Sequence, residues 1–588
     1  MAARGNYARM DLNGSTSNHS SIEGEGASSR SGSTGFRSAD GQVGSAQASS
    51  PFSSTFVGPG VAAPAKGPKD PFGHIDDDAG DDWLHDVSTA DKSSKEMSFR
   101  GVLNVGTLAL IGGGLLMLFL GYPVLSVYMR DKAIVTSSQE VSSRTAYPAQ
   151  LKRGLIDRDT PQDAMAHTGI LDGKKWHLVF SDEFNEPGRT FWPGDDPYWE
   201  AFNGWYSGTM DYEWYDPEAL NTTDGHLQIA FEERATNGLN FRSGMLQSWN
   251  KVCFQGGYLE ISAILPGYHN VAGFWPGLWT MGNLGRPGYS GTNEGMWPYS
   301  YSSCDTGMLP NQTFINGTGP PKAVRANGQF SYQVDYALSW LPGMRLPACT
   351  CPGSDHPGPN RFTGRSAPEI DLLEAKIGPR GGQSSQSLQM APFDIDYYYG
   401  NSTARGEVAI HDPATTEIND YHGNELQMAV SGLSDVPAHA YDKEPGSRFT
   451  TFGLEWEPDW DGSGEGAYVT WYIDGKAMWS VYSEALGPVP ELDIGRRLIP
   501  REPMSLIMNL AMAYNFQPPN WAELEFPGIM KIDYVRVYQI DGRPDKVSCD
   551  PPDMPTKKYI ENHADLYDDN TIQRFPKDRW PRNELQGC

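Results

Sequence analysis

Three carboxylates stand in one short stretch, Glu369-Ile370-Asp371-Leu372-Leu373-Glu374, interleaved with branched aliphatics and preceded by Ala367-Pro368. Carboxyl groups gathered on one surface repel, so one keeps its proton toward neutral pH while another stays ionised. Retaining glycoside hydrolysis needs that division of labour. One carboxylate attacks the anomeric carbon, a second carboxylic acid protonates the leaving oxygen, and the two stand about 5–5.5 Å apart. The plain alternative is a solvated acidic face on an edge strand.

Alternation of polar and apolar residues predicts a strand with one face in a core. A regular strand puts Glu369 and Asp371 on one face and turns Glu374, five positions on, to the other. A β-bulge at Leu372-Leu373 absorbs the extra residue and returns Glu374 to the face of Glu369; bulges favour active sites. Positions four pleats apart span about 13 Å, so the longer Glu side chains must lean toward each other over the shorter Asp371.

Other strands must position this one. Runs such as Trp176-His177-Leu178-Val179-Phe180, Leu227-Gln228-Ile229-Ala230-Phe231, Tyr258-Leu259-Glu260-Ile261-Ser262 and Tyr468-Val469-Thr470-Trp471-Tyr472-Ile473 recur between Gly, Pro and Asn turns, with no long amphipathic helical pattern. Many short strands over residues 171–545 predict an all-β sandwich with long loops. Fifteen of the 17 Trp fall in this stretch, a density that suits aromatic platforms in a cleft as well as a core.

The order Ser243-Gly244-Met245, Gly256-Gly257-Tyr258-Leu259-Glu260, Phe274-Trp275-Pro276-Gly277-Leu278-Trp279-Thr280-Met281, then Glu369 to Glu374, resembles glycoside hydrolase family 16. Later stretches agree: Phe452-Gly453-Leu454-Glu455-Trp456, Tyr472-Ile473-Asp474-Gly475, Met508-Asn509-Leu510-Ala511 and Ile532-Asp533-Tyr534-Val535-Arg536-Val537-Tyr538. With the apolar segment and acidic tail described below, the chain after Val102 resembles the fungal type II membrane proteins associated with β-1,6-glucan synthesis. The resemblance implies a concanavalin-like jelly roll with the acids in a concave cleft. It implies Glu369 as nucleophile, Glu374 as acid/base, Asp371 as the residue tuning the nucleophile, and Trp275 and Trp279 as an aromatic segment contacting sugar. It also implies β-glucan as the substrate and a hydrolase or transglycosylase as the activity, the alternative being a glucan-binding or scaffolding module.

Two departures from the family pattern stand out. Where such hydrolases place a His after the catalytic strand, this chain reads Ser387-Leu388-Gln389-Met390-Ala391-Pro392, and the stand-in Gln389 carries no proton at neutral pH. Between Trp279 and Glu369 lie 89 residues with three cysteines and two glycosylation sequons. The part from about 282 to 365 is expected to be a disulfide-pinned cap over the cleft. Cys349 and Cys351 cannot easily pair with each other, which leaves Cys304 and Cys253 as the nearest partners in sequence.

The termini set the context. Residues 1–100 are rich in Ser, Gly and Ala and too poor in branched aliphatics to offset chain entropy, so a disordered cytosolic tail is expected. Val102 to Val127 holds no charged residue and is long enough to cross the roughly 30 Å hydrocarbon layer. A transmembrane signal-anchor helix is therefore expected over 101–128, followed by a stem over 129–170 and, beyond the sandwich, a C-terminal extension over 546–588. All six cysteines and the sequons at Asn221, Asn311, Asn316 and Asn401 follow the apolar segment, as in a single-pass type II protein of the secretory pathway with its large part lumenal or extracellular. Endoplasmic reticulum, Golgi and plasma membrane all remain open. Sequons at Asn13 and Asn18 precede the segment and are expected to stay unmodified. Any contact with a glucan synthase or secretory-pathway partner would run through the cytosolic tail.

Net charge is −27, which excludes binding nucleic acid through phosphates. There is no G-x-G-x-x-G, no phosphate loop and no H-E-x-x-H, and Cys349-x-Cys351 lacks zinc spacing. No metal or cofactor is called for. Some family 16 members hold a structural Ca²⁺ near the stretch matching Ile532-Asp533-Tyr534, and nothing in the residues demands it here.

Overall fold

The computed structural model describes residues 154–326 and 337–588, with eight positions between Gly106 and Met117. All but Gly106 belong to one compact unit, Thr107–Cys588. The predicted tail and stem to residue 153 lie outside the described residues, as does most of the predicted span 101–128. Among the described residues no helix is long and apolar enough to cross a membrane.

The predicted runs form strands: β1 Lys175–Asp182, β2 His226–Phe231, β3 Met245–Gln247, β4 Gly257–Ile264 and β5 Trp275–Gly282. They continue as β6 Glu369–Gly378, β7 Gly381–Met390, β8 Gln427–Asp435 and β9 Thr450–Glu457. The last four are β10 Tyr468–Ile473, β11 Lys476–Tyr482, β12 Met504–Ala511 and β13 Gly528–Ile540. One antiparallel sheet runs β1-β13-β4-β9-β10-β11, with β2 on the first half of β13; the other runs β8-β7-β6-β5-β12-β3.

Alternation along each strand explains the layering. On β12, Leu506, Met508 and Leu510 belong to the main core between the sheets, while Ile507 and Ala511 pack in a second apolar cluster with Met245, Met281, Met296 and Tyr559. Ile261, Phe452, Trp456 and Trp471 of the first sheet meet Leu278, Ile370, Leu388 and Val430 of the second. The second sheet is therefore packed on both faces, against the first sheet on one and against a smaller apolar cluster on the other.

The body begins before the predicted start of the sandwich: Ala166–Thr168 pairs with β1, and His167 stacks on Tyr258 at 4.3 Å. Among its described residues the insert between β5 and β6 holds only helical turns of three or four residues, as its Pro and Gly content predicts, yet it is tied down. Of the two partners expected for Cys349 and Cys351, Cys304 does serve the insert, pairing with Cys349, but Cys351 bridges to Cys588 and Cys253 to Cys549. The expectation that Cys253 would serve the insert is corrected for a topological reason. Cys253 lies beside β12, opposite Ser505, where the C-terminal extension passes. Arg365, fully buried, ends the insert with paired 2.8 Å bonds from Nε and an Nη to Glu502, a geometry that fixes the entry into β6.

Candidate active site

Pairing on both sides of β6 locates the extra residue. Against β5, Asp371 lies opposite Trp279 and Leu373 opposite Leu278. Against β7, Asp371 lies opposite Ser387 and Glu374 opposite Ser385. Leu372 is the residue without a counterpart, so the bulge falls where the sequence predicts it. Leu372 and Leu373 both turn into the core with no exposed surface. Trp471 of the opposite sheet donates its indole N–H to the Asp371 carbonyl at 2.7 Å, satisfying a backbone group at the irregularity. Glu369, Asp371 and Glu374 consequently line one cleft of about 720 Å³.

Burial separates the three acids from water, and their neighbours then separate them from one another. Asp371 rises only to about 6, because Ser387 Oγ (2.6 Å) and Gln389 Nε2 (3.0 Å) both donate to its Oδ2. Glu374 is pushed up to about 8 by burial and then by the charge of Asp371, against smaller opposing contributions from Trp275, Lys376 and Ser387. Glu369 is also raised, by burial first and then by Asp371 and Glu374. Its opposing partner is Trp297, whose Nε1 donates to Glu369 Oε2 at 2.8 Å. Of the three, Asp371 gives up its proton most readily and Glu374 holds its proton to higher pH, while the Trp297 N–H offsets only part of the rise in Glu369.

The predicted aromatic pair lines the same cleft, each ring held by a neighbour. Trp275 stacks on Phe516 at 4.1 Å and 6°. Trp279 Nε1 donates to Asn509 Oδ1 at 2.8 Å; Asn509 Nδ2 in turn donates to the Tyr215 hydroxyl at 3.0 Å. The Tyr215 hydroxyl in turn donates a hydrogen bond to Asp211 Oδ2 at 3.2 Å. Gln389 lies on the cleft wall, its Nε2 spent on Asp371 and its Oε1 buried without a protein partner.

Sequence reasoning missed Trp297, Asn509, Tyr206 and Trp340. Asn509 lay inside a quoted motif, and its place on a strand two away from β6 was the available signal. Trp297 and Trp340 come from the insert, where no periodicity marks them. Neutral amides, among them Asn293, Asn424, Asn509 and Gln573, share the lining with these indoles. Such a surface suits a neutral, polyhydroxylated ligand.

Residues 72–588 match the family described as beta-glucan synthesis-associated protein SKN1/KRE6/Sbg1. The chain belongs to this family. It is 40% identical over 512 residues to the beta-glucan synthesis-associated protein SKN1 of Candida albicans, covering 86% of this chain and 64% of that protein. It is 39% identical over 534 residues to the beta-glucan synthesis-associated protein KRE6 of Saccharomyces cerevisiae, covering 87% and 69%. The chain thus spans about two thirds of the length of these relatives. Among solved structures, the catalytic domain of an endo-1,3-β-glucanase (laminarinase) from Thermotoga petrophila aligns with TM-score 0.35 and 19% identity, over 63% of this chain and 100% of that one.

The four sequon asparagines after the apolar segment, Asn221, Asn311, Asn316 and Asn401, are all exposed; Asn13 and Asn18 lie outside the described residues. Among the described residues no three His, Cys, Asp or Glu side chains are grouped to hold a metal, and Asp533 instead accepts from Ser262 Oγ at 3.3 Å.

Proposed function

We propose that this chain is a β-glucan-acting retaining glycosidase or transglycosidase that supports assembly of cell-wall β-glucan, including β-1,6-glucan. The observation that carries the reading is the bulge at Leu372. It brings three acids to one cleft face in different surroundings: Asp371 held by Ser387 and Gln389, Glu374 raised by burial and by Asp371, and Glu369 raised by burial with the Trp297 N–H on its Oε2. In the first half of the reaction Glu369 Oε attacks the anomeric carbon, the glycosidic C–O bond breaks, and Glu374 protonates the departing oxygen. In the second half Glu374 takes a proton from water or a sugar hydroxyl, which displaces Glu369 with net retention. Asp371 supplies negative charge beside both and keeps the Glu374 proton in place between steps. The neutral amide and indole lining and the family's association with β-glucan synthesis support a glucan as the substrate.

The apolar segment 102–127 would anchor the chain as a type II protein of the secretory pathway, with the cleft domain lumenal or extracellular. Its disulfides and exposed sequons suit that side. One observation favours a second reading, a glucan-binding or scaffolding module without turnover: Gln389 replaces a titrating His beside the acids.

The deciding experiment treats the protein with an activated glucosyl donor, such as a 2-deoxy-2-fluoroglucosyl fluoride, and with defined β-1,3 and β-1,6 gluco-oligosaccharides. Intact mass should show one covalent sugar on Glu369, and products longer or shorter than the input distinguish transfer from hydrolysis. Absence of any labelling and of any product would leave the binding reading.

A further inference from the structure

The residues that follow the sandwich enter the cleft. From β6 the second sheet runs through β5, β12 and β3 to an edge strand, Glu200–Ala201, and from there the chain turns into a loop over 203–211. Residues 570–575 of the C-terminal extension join that loop to the start of the insert. Asn570 Nδ2 donates to the Asn203 carbonyl at 2.9 Å, the Gly291 N–H to the Ile572 carbonyl at 2.9 Å, and the Phe575 N–H to Glu294 Oε2 at 2.7 Å. Two glycines permit the approach: a Cβ on Gly204 would stand 2.6 Å from Asn570 Nδ2, and one on Gly291 would stand 2.9 Å from the Ile572 carbonyl oxygen. Cys253–Cys549 and Cys351–Cys588 tie the extension before and after this stretch. It is a fastened wall, and it brings Gln573 and Arg574 to the cleft lining.

The 203–211 loop supplies an indole to the same corner. Trp205 is 39% exposed, and its Nε1 donates to the Asp211 carbonyl at 2.8 Å, so the ring is held while part of its surface stays open. Two residues on, Ser207 Oγ donates to Gln573 Oε1 at 3.4 Å. Trp205, Ser207, Glu294, Gln573 and Arg574 all line the cleft. Arg574 carries a positive charge, but Glu294 Oε1 lies 3.4 Å from its Nη1, which leaves the pair with no net charge to hold an anion. What the corner offers instead is a fork of N–H donors, a carboxylate acceptor and an amide beside an open indole. A pyranose ring fits that set, with a flat C–H face for the indole and a rim of hydroxyls that both donate and accept.

We propose that Trp205, Gln573 and Arg574 form one sugar subsite of the cleft, shared between the 203–211 loop and the C-terminal extension, and that it takes a glucosyl residue of a β-gluco-oligosaccharide. This rests on reading the cleft as glucan-binding and deepens that reading, since it gives the extension a part in holding the ligand; it requires no turnover. The indole packs on the face of the sugar, while the amide and the guanidinium–carboxylate pair bind its hydroxyls. Contacts made to one sugar from two sides depend on each other. Once the indole has released the ring, the hydroxyl contacts hold little, and the reverse is equally true.

The test is calorimetric titration of the full chain with long β-1,3 and β-1,6 gluco-oligosaccharides. It compares wild type with Trp205→Ala, with Gln573→Ala/Arg574→Ala, and with the three changes combined. Lys577→Ala, exposed in the same extension and away from the cleft lining, is the control. Trp205, Gln573 and Arg574 are all exposed, so none of these changes opens a cavity in the core. Each of the first two variants should weaken Kd about tenfold, equivalent to ~1.4 kcal/mol, and Lys577→Ala should match wild type. Because both sides hold the same sugar, the combined variant should stay well short of about a hundredfold loss. An unchanged Kd in either of the first two variants would overturn the subsite. A full loss of about a hundredfold in the combined variant would overturn it too, since additive losses mean two separate contacts. Oligosaccharide binding by a wild type that takes up no covalent sugar sinks turnover alone and, with the expected losses, supports the subsite. A wild type that binds neither series refutes both the subsite and the glucan reading.

Discussion

Replacing Glu374 by Gln should stabilise the protein at alkaline pH and do nothing at acid pH, which can be measured whether or not the cleft is catalytic. Glu374 sits at about 8 in the folded chain against an ordinary 4.5. The folded state therefore holds a proton that the unfolded chain has already released, and stability falls as pH rises from about 4.5 to about 8 before levelling off. At about 1.4 kcal/mol per pH unit the full effect is about 5 kcal/mol. Glu374 keeps part of its surface open to the cleft, and solvent screening there brings the working figure to roughly half, about 2–3 kcal/mol.

Gln keeps the shape and one carbonyl acceptor but never ionises. Below pH 4.5 Glu374 and Gln are both neutral and the two proteins should melt together. Above pH 8 the variant escapes the buried charge and its repulsion with Asp371. For a body of roughly 430 residues, an unfolding entropy of ~2 cal/mol/K per residue makes 1 kcal/mol worth about 1 °C. Scanning calorimetry at one scan rate should show a midpoint gain of about 2–3 °C at pH 9, shrinking to nothing at pH 4. A gain of equal size at both pH values would mean that Gln simply packs better. A loss at pH 9 would mean that the Glu374 carboxylate is stabilised by its surroundings, contrary to the reasoning.

Activity on a natural glucan should fall above pH about 8 as Glu374 loses its proton, while activity on a glucosyl fluoride, which needs no proton donor, should not share that limb. Glu369→Gln should abolish covalent labelling by any donor; Glu374→Ala should still label from a fluoride donor and, with added azide, release a β-glycosyl azide visible by mass and NMR. Trp297→Phe removes the N–H on Glu369, so the acid limb of the pH profile should move upward and kcat/KM near that limb fall by about 10–100-fold, the worth of a hydrogen bond to a charged group; an unmoved limb would reduce Trp297 to packing. Endoglycosidase treatment of single Asn→Gln variants should shift Asn221, Asn311, Asn316 and Asn401 and leave Asn13 and Asn18 unchanged, and a shift on losing Asn13 would invert the proposed topology.

The strand that carries the three acids could be read from the sequence because its signal is local. Two Leu in succession break an alternation that three acids otherwise keep, and one inserted residue is the smallest repair. The sandwich was legible for the same reason, since short apolar runs and Gly or Pro turns are near-neighbour features. The disulfides were not, because pairing Cys351 with Cys588 depends on a C-terminal segment passing beside the insert, a contact 237 residues away in sequence. Trp297 and Trp340 were hidden likewise: Cys304–Cys349 and the buried Arg365–Glu502 pair shape their segment, and neither bond leaves a pattern near the tryptophans.

Gln389 joins the readable half to the unreadable half. The sequence marks it as a departure from a family His, but only the structure shows what it serves. It and Ser387 both donate to one oxygen of Asp371, so the charge on Asp371 rests on two groups that do not titrate across the working pH range. A His in that place would add or withdraw a positive charge near pH 6.5 and move Asp371 with it. Here no such step occurs, and burial and Asp371 together hold the Glu374 proton. A cleft built this way couples its three acids chiefly to one another, with Lys376 a smaller influence on Glu374, and its pH dependence should contain carboxyl titrations and no histidine step.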